Sequence, residues 1–519
     1  MLPAILIFAL LCGLRLVNMG GNINPDAIYY VLASQRMAEG RVAESMSAMW
    51  MPLVSWLASP LVALGAPPVH AVLAINISAA LATLFLLYRA ALRVAGPIPA
   101  QCAAIALACD PQFLSWAVAP SSESLFVLLA FSAFICAARG PLCEDSSGLA
   151  TANNSLRHSC TALMVLGCFL LLVRVAALPL VILLAVPLWL SEKRTWPRIW
   201  GRATLYGSAI ALLLLGLSLF FYQRTGLFQP SPNWYLNRFF VSRDFIGGDY
   251  TGAHYGLFDG RNTVEGDVQT LEAGRSLPGI PPVPMARRMR YLAECIEGFV
   301  RGLGALAAAP VLGFAALGAW QLARDRRWQA LIWAVAWSLA VTIGMIFSTI
   351  QQRYFLPLLP LAYLLAALGL STVYKEFTWR RLPVLTAAGF LIVNLASGFR
   401  ESGAYALLAK GPPRPHPDAG EFIRSNFGAD RRILTPTDSL ANLASAANSA
   451  GYWKPLPVAP AEEIWKYMRE KRIEFVIVPN RQLREVDSPV LRHTLELHPG
   501  ASMVWQNLYE EVWRIDRPL

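Results

Sequence analysis

The stretch Asn22-Ile-Asn-Pro-Asp-Ala-Ile-Tyr-Tyr30 continues as Val31-Leu-Ala-Ser-Gln-Arg-Met-Ala-Glu-Gly40 and directly follows the apolar span Leu2–Val17. From Asp26 onward the apolar residues recur at helical spacing, and a glycine such as Gly40 commonly ends a helix. Asp26 is therefore expected close to a membrane surface, on a short helix with one apolar side. A carboxylate in that position is costly unless it has a function. Two interpretations stay open: an aspartate that caps the helix, or a catalytic base.

The composition is that of an integral membrane protein. Of the 519 residues, 55% are hydrophobic and 15% are charged, with a mean hydropathy of +0.45, whereas soluble domains are about 25% charged. The net charge of +11 does not indicate nucleic-acid binding, because most arginines and lysines lie between apolar spans, as the positive-inside rule predicts. The eight cysteines show no CxxC spacing. No zinc spacing or paired-histidine motif predicts a metal site, and dependence on a divalent ion is left open.

The order of apolar and basic segments predicts a polytopic α-helical membrane domain over residues 1–400, with the N-terminus inside. We expect about eleven spans of roughly 20 residues: Leu2–Val17, Val69–Leu87, Ala100–Val118, Leu125–Ala138, two within Thr161–Leu190, Ala203–Tyr222, Phe299–Leu322, Ala330–Ile350, Tyr354–Val373 and Pro383–Phe399. Thr161–Leu190 is divided at Arg174, because a charge at the bilayer centre costs several kcal/mol. A first external loop covers residues 19–66 and a long one residues 223–297.

Residues 401–519 have the composition of a soluble domain, which we expect outside the membrane. A proline-rich linker covers Pro412–Pro417. Helices are predicted at Asp418–Asn426 and Ala461–Lys471, and strands at Arg431–Thr435 and Glu474–Pro479. The order of helix, strand, helix and strand predicts a small α/β unit.

Asp26, Tyr30, Ala33 and Met37-Ala-Glu-Gly40, followed by Trp50-Met-Pro-Leu-Val-Ser-Trp56, resemble the first external loop of the membrane glycosyltransferases with the GT-C fold. The similarity is to the protein O-mannosyltransferases and the lipid A aminoarabinose transferases, which take a sugar from a polyprenyl phosphate. The resemblance implies that Asp26 is the catalytic carboxylate and that Tyr30 helps to bind substrate. It also implies a multi-pass protein of the plasma (inner) membrane with its active site outside.

Glu123 is a second candidate catalytic carboxylate. It follows Ala119-Pro-Ser-Ser122 at the external start of a span, where the resembling enzymes also have an acidic residue that is thought to orient the acceptor or the first loop. The alternative is a carboxylate at a helix start, favoured by the helix dipole behind two capping serines.

The segment Gln351-Gln-Arg-Tyr-Phe-Leu-Pro-Leu-Leu-Pro360 also resembles this superfamily, in which an Arg-Tyr pair followed by two prolines begins a late span. Arginine offers a planar fork of donors that fits phosphate oxygens. We therefore expect Arg353 and Tyr354 to bind the donor phosphate, together with Arg174. The alternatives are that Arg353 extends its charge to the interface and that Arg174 neutralises Glu123 or Asp26.

These features predict an inverting glycosyltransferase that moves a sugar from a polyprenyl-phosphate donor to a lipid, glycan or protein acceptor, with membrane lipid as its surroundings. The alternative from another class is a transporter or flippase of a lipid-linked saccharide, which would be expected to have repeated halves and broken helices near mid-membrane. A scaffold or receptor would not bring Asp26, Glu123 and Arg353 together.

Overall fold

The computed structural model describes most of the chain. The described residues are 1–19, 25–46, 51–142, 152–190, 196–225, 228, 230, 285–303, 307–346, 352–376, 381–403, 419–428, 431, 433–434, 465, 468–469, 472–479, 489–506 and 510–516. The first-loop positions 20–24 and 47–50, most of the long loop 223–297, and most of the predicted helix Ala461–Lys471 lie outside them.

The first part of the chain is helical. Its α-helices are α1 Leu2–Met19, α2 Pro25–Ala38, α3 Leu53–Ala63, α4 Pro68–Ala95, α5 Pro97–Ala108, α6 Pro111–Ala117, α7 Glu123–Leu142, α8 Ala152–Val173, α9 Leu178–Leu190 and α10 Trp196–Thr225. After the long loop come α11 Met285–Gly302, α12 Ala308–Arg324, α13 Trp328–Ile346, α14 Leu359–Glu376 and α15 Arg381–Glu401. Short 3₁₀ helices cover Val42–Ser45, Val175–Ala177 and Gln352–Leu358.

Among the described residues, four helical segments are long and apolar enough to cross a membrane: Pro68–Ala95, Thr204–Gln223, Arg353–Glu376 and Arg381–Arg400. Seven further apolar helices in the same part of the chain are shorter: Leu2–Asn18, Leu53–Ala63, Pro97–Ala108, Glu123–Ala138, Thr161–Val173, Val175–Val186 and Trp328–Gly344. Most coincide with expected spans. The total of about eleven crossings stays a prediction.

The helix expected from Asp26 to Gly40 is confirmed. It is α2, which has Pro25 in its first turn and is followed by Gly40 at φ +78°. Helix α2 packs against α3, where the Ser55 hydroxyl donates to the Tyr30 carbonyl over 3.0 Å. The indole N–H of Trp56 donates to the Ser45 hydroxyl over 3.1 Å. The described part of the predicted first loop is thus folded, with two helices packed against each other.

One expected span is wrong in its continuity. Ala100–Val118 is not a single helix, because α5 ends at Ala108 and α6 begins at Pro111. Asp110 causes the break: its carboxylate accepts from the Phe113 backbone N–H over 2.8 Å and caps α6. Pro111 follows at the first helical position, where a missing N–H costs no helix hydrogen bond.

The expected span Phe299–Leu322 is also wrong at its start. Phe299 belongs to α11, which ends at Gly302, and α12 begins only at Ala308. Helix α11 is strongly amphipathic, with Leu292 and Cys295 buried on one side. Such a helix is not apolar all round, as a membrane span would be.

Two other interruptions agree with the sequence. Arg174 separates α8 from α9, as its charge predicted. The Arg353–Pro360 segment begins as the 3₁₀ helix Gln352–Leu358 and continues directly into α14. Pro357 lies inside this 3₁₀ helix.

Helices α12 and α14 pack against each other through glycines. A Cβ atom at Gly318 would collide with the Leu365 carbonyl oxygen, and one at Gly369 would collide with the Phe314 carbonyl oxygen. The contact is reciprocal, so the two backbones approach as closely as small residues allow in membrane helices. The hydroxyl of Thr372 and the amide oxygen of Gln321 make a short hydrogen bond along the same pair.

The C-terminal segment contains a four-stranded mixed sheet. Its strands are β1 Ile433–Leu434, β2 Phe475–Pro479, β3 Ala501–Gln506 and β4 Glu510–Ile515, and its helices are α16 Ala419–Phe427 and α17 Pro489–Leu497. The strand order is β1-β2-β4-β3, with β1 parallel to β2 and the other pairs antiparallel. The first helix and both predicted strands are confirmed in type and place. Helix α17 and the hairpin β3–β4 were not predicted.

The chain divides into two compact units. The first comprises Met1–Asn18, Leu73–Ser218 and Pro284–Pro412. The second comprises Met19–Val72, Leu219–Val283 and Pro413–Leu519. The predicted division into residues 1–400 and 401–519 stays a prediction.

We expect Gly318→Ala to lower the free energy of unfolding by about 1–3 kcal/mol, the usual cost of overpacking a close contact. Gly313 on the same helix has open space where its Cβ would be. Gly313→Ala should therefore cost nothing and gain helix propensity of up to about 1 kcal/mol. Thermal unfolding of both variants in detergent measures the difference. Equal stability of the two variants would contradict the backbone contact.

Candidate functional site

Glu123, at the first position of α7, is the centre of a charged cluster in the first unit. Its side chain is 2% exposed, and its carboxylate is paired with the Nη2 of Arg174. The same oxygen lies 3.4 Å from the Nε of Arg353. The two guanidinium groups are themselves largely enclosed, at 12% and 11% side-chain exposure. One buried carboxylate therefore holds two arginines from distant parts of the chain.

Arg174 is also held by the residue before Glu123. Its Nε and Nη2 donate to the Ser122 hydroxyl over 3.1 and 3.0 Å. The Nη2 group contacts both Ser122 and Glu123, and the additional Nε contact with Ser122 fixes the plane of the guanidinium.

Tyr354 lies between the two arginines. The guanidinium carbon of Arg174 is 4.5 Å from the centre of its ring, and that of Arg353 is 5.5 Å away. The guanidinium carbon of Arg353 also lies 5.4 Å from the ring centre of Trp116, and that of Arg174 lies 5.6 Å from the ring centre of Phe126. Aromatic faces attract cations, and they do so most strongly where water is excluded.

The backbone turns next to Glu123 and Arg174 are held in place by contacts with neighbouring segments. The Asn76 amide donates to the Ala119 carbonyl over 2.5 Å, and the Ser124 hydroxyl donates to the Trp116 carbonyl over 3.0 Å. On the Arg174 side, the backbone of Gly344 in α13 approaches the Ala176 carbonyl oxygen so closely that a Cβ atom at Gly344 would collide with it. The turn before Glu123 and the turn after Arg174 are therefore both fixed by neighbouring helices.

Helix α11 packs on the segment that bears Arg353. Phe299 contacts Phe355 with 5.4 Å between ring centres. The Gln112 amide donates to the Phe299 carbonyl over 2.7 Å. The helix that ends the long loop is thus attached both to α6 and to the 3₁₀ helix Gln352–Leu358.

The charge of this cluster suits an anion. Glu123, Arg174 and Arg353 together carry one net positive charge. Arginine forks match the oxygens of a phosphate in pairs. Low exposure strengthens such contacts, because water no longer screens them.

Four of the six predicted site residues come together here: Glu123, Arg174, Arg353 and Tyr354. Tyr30 belongs to the second unit, where it is buried at 3% exposure. Asp26 is the second residue of α2, and its side chain lies outside the described part of the structure. The roles of all six residues stay predictions.

Sequence reasoning missed Trp116 and underestimated Ser122. Trp116 lies in an apolar run that was interpreted as a plain span, so nothing local marks it. Ser122 was considered only as a helix cap. Within the described residues, no three His, Cys, Asp or Glu side chains gather into a group that could hold a metal ion.

Known structures share this architecture over nearly the whole chain. The protein ArnT from Cupriavidus metallidurans, solved with undecaprenyl phosphate, aligns with a TM-score of 0.57 at 14% identity, covering 98% of this chain and 97% of its own. The chain has the GT-C fold.

A second GT-C structure is the oligosaccharyltransferase of Archaeoglobus fulgidus. It aligns with a TM-score of 0.53 at 11% identity, covering 92% of this chain and 69% of its own. The sequence matches no protein-family model and no curated protein. At these identities the likeness establishes the GT-C fold, and with it a membrane protein, but no activity.

We expect Glu123→Ala to lower the free energy of unfolding by about 3–5 kcal/mol, because it leaves buried arginines without their carboxylate. Glu376 provides a matched control, since its carboxylate also pairs with an arginine Nη2, from Arg324, but at 48% exposure. Glu376→Ala should cost at most about 1 kcal/mol. Thermal unfolding of the two variants makes the comparison. A mild effect at Glu123 similar to that at Glu376 would contradict the buried cluster.

Proposed function

We propose that the protein is a membrane glycosyltransferase that transfers a sugar from a polyprenyl-phosphate donor to a lipid, glycan or protein acceptor. The observation that carries the proposal is the cluster of Arg174, Arg353 and Tyr354 around Glu123 within a GT-C fold. The Cupriavidus metallidurans protein of the same fold was solved with undecaprenyl phosphate, which supports a lipid phosphate as the ligand.

The chemistry that such a cluster supplies is stabilisation of the leaving group. The acceptor nucleophile attacks the anomeric carbon and loses its proton, while the bond from that carbon to the phosphate oxygen breaks. The polyprenyl phosphate then leaves with an added negative charge. Two fixed guanidinium groups bind this charge more strongly in the transition state than in the ground state, which lowers the barrier.

In this proposal Glu123 acts by holding the arginines. A carboxylate bound by two guanidinium groups is a poor proton acceptor, because protonation would sacrifice both ion pairs. Its contacts with Arg174 and Arg353 fix the distance between the two forks. The catalytic role expected for Glu123 is thus one of positioning.

The base is assigned to Asp26, on the resemblance of its loop alone. Attack by a deprotonated acceptor on the face opposite the phosphate inverts the anomeric centre, and the sequence predicts this outcome. Tyr30, one turn further along α2, stays a candidate for substrate binding.

The competing function is a flippase of lipid-linked sugars. Broken helices, which a transporter would use, do occur at Asp110 and Arg174. The GT-C fold favours the transferase. Purified protein given a lipid-linked sugar and an acceptor distinguishes the two, since only a transferase releases free polyprenyl phosphate.

We infer that the active face is extracytoplasmic. The second unit groups Met19–Val72, Leu219–Val283 and Pro413–Leu519, which closely match the three segments that the sequence predicts to be external. In a cysteine-free background, the exposed position Ser425→Cys should react with an impermeant thiol reagent on intact cells. Asp325→Cys, also exposed, should react only after lysis. The reverse pattern would place the active face in the cytoplasm.

We expect Arg353→Lys to reduce donor use partially and Arg353→Ala severely, because lysine keeps the charge but loses the planar fork. If phosphate is the leaving group, turnover falls together with apparent affinity for the donor. Steady-state kinetics with donor varied at fixed acceptor measure both quantities.

Arg324→Lys is the matched control, since that arginine is 46% exposed and pairs with a glutamate elsewhere in the first unit. It should leave the kinetics unchanged. Full activity of Arg353→Lys with only mild loss in Arg353→Ala would remove Arg353 from the site.

We expect Asp26→Asn to keep the fold and lower turnover by about 10²–10⁴, the usual contribution of a positioned base. Glu39→Gln is the control, because Glu39 directly follows the same helix and its carboxylate is 42% exposed. Initial rates at saturating donor and acceptor make the test. Near-normal turnover of Asp26→Asn would end the assignment.

A further inference from the structure

A second buried acidic residue of the first unit, Asp110, has no part in the chemistry described above. Asp110 is 1% exposed, and Tyr363 beside it is fully buried. One carboxylate oxygen of Asp110 accepts from the Phe113 N–H over 2.8 Å, and the other accepts from the Tyr363 hydroxyl over 3.0 Å.

A helix cap alone does not explain this pair. Serine or asparagine caps a helix as well as aspartate does, without a buried charge. A carboxylate in an apolar interior costs several kcal/mol unless it is hydrogen-bonded. The second oxygen is used for a contact between α6 and α14, so the residue joins two segments that are distant in sequence.

Both joined segments lead to the arginine cluster. Helix α6 carries Trp116, which contacts Arg353, and the chain continues through Ser122 to Glu123. Tyr363 lies in the first turns of α14, which continues directly from the 3₁₀ helix that carries Arg353 and Tyr354. The hydrogen bond between Asp110 and Tyr363 therefore links the segment that leads to Glu123 with the segment that follows Arg353.

The break at Asp110 is held from another direction as well. A Cβ atom at Gly398 of α15 would lie 2.8 Å from the Cys109 carbonyl oxygen, so that backbone cannot shift toward α15. With Cys109 backed by a helix and Asp110 tied to Tyr363, the seven-residue helix α6 has one fixed end from which Trp116 and Glu123 are presented.

We propose that Asp110 and Tyr363 are positioning residues for the phosphate-binding cluster: their hydrogen bond sets the distance between Glu123 and Arg353 without contacting substrate. The identity of the ligand in this inference rests on the proposed function. The geometry of the cluster is independent of that function.

Three variants test the proposal by binding. Tyr363→Phe removes the hydroxyl, and Asp110→Ser keeps a capping oxygen that is too short to reach Tyr363. Each should weaken binding of undecaprenyl phosphate to the purified full-length protein in nanodiscs roughly tenfold, the change in affinity that corresponds to one hydrogen bond. Thr372→Val, which removes another buried hydrogen bond of α14, with Gln321, should bind like wild type. Unchanged affinity in Tyr363→Phe and Asp110→Ser would overturn the proposal.

A ligand-free measurement separates this proposal from the proposed function. The losses in unfolding temperature of Tyr363→Phe and Glu123→Gln should be non-additive in the double variant, since both substitutions disturb the same arginine cluster. The losses of Thr372→Val and Glu123→Gln should add. Additive losses in both pairs would overturn the positioning role. If wild type and Arg353→Ala bind the lipid equally, the proposed function fails, and the unfolding temperatures still decide the role of Asp110 and Tyr363.

Discussion

The buried carboxylate of Glu123 is the constraint on which the described site depends. A charge with 2% exposure persists in an apolar interior only if opposite charges and donors surround it. Arg174 and Arg353 provide those charges, and each comes from an interruption in helical structure. Glu123 follows the turn after α6, Arg174 lies in the turn between α8 and α9, and Arg353 lies in the 3₁₀ helix before α14. The cluster therefore forms at the interruptions, because the three charged side chains that meet there all come from residues at or beside a break between helices.

Close backbone contacts keep these interruptions in place. Gly344 lies against Ala176 beside Arg174, and Gly398 lies against Cys109 beside Asp110. Gly318 and Gly369 join α12 to α14 in the same manner. Because the lipid tails offer no hydrophobic driving force between helices, such small-residue contacts and buried hydrogen bonds carry much of the packing. A site that stabilises a leaving phosphate benefits from this rigidity, since donors already in position need no reorganisation during the reaction.

The division of the chain also separates two kinds of evidence for function. The first unit contains the cluster of Glu123, Arg174 and Arg353, whose net positive charge suits an anion. The second unit contains the folded first loop, in which α2 carries Asp26 and packs on α3. The phosphate side of the proposed reaction thus rests on geometry, and the base rests on the resemblance of a loop sequence.

The sequence by itself determined the helix that runs from Asp26 and is ended by Gly40, the break at Arg174, the proline-containing start of α14 and the buried strand β2. Each follows from local rules: apolar period, the cost of a charge in the bilayer, and the geometry of proline and glycine. It also identified Glu123, Arg174, Arg353 and Tyr354 as candidates. The sequence prediction missed the break of Ala100–Val118 at Asp110, although the capping aspartate and Pro111 are local features. Only the tertiary structure decided that Trp116 contacts Arg353, that Asp110 meets Tyr363, and that one carboxylate holds both arginines. These depend on partners between about 50 and 250 residues apart, as in the Asp110–Tyr363 hydrogen bond, and local periodicity carries no information about partners at that separation.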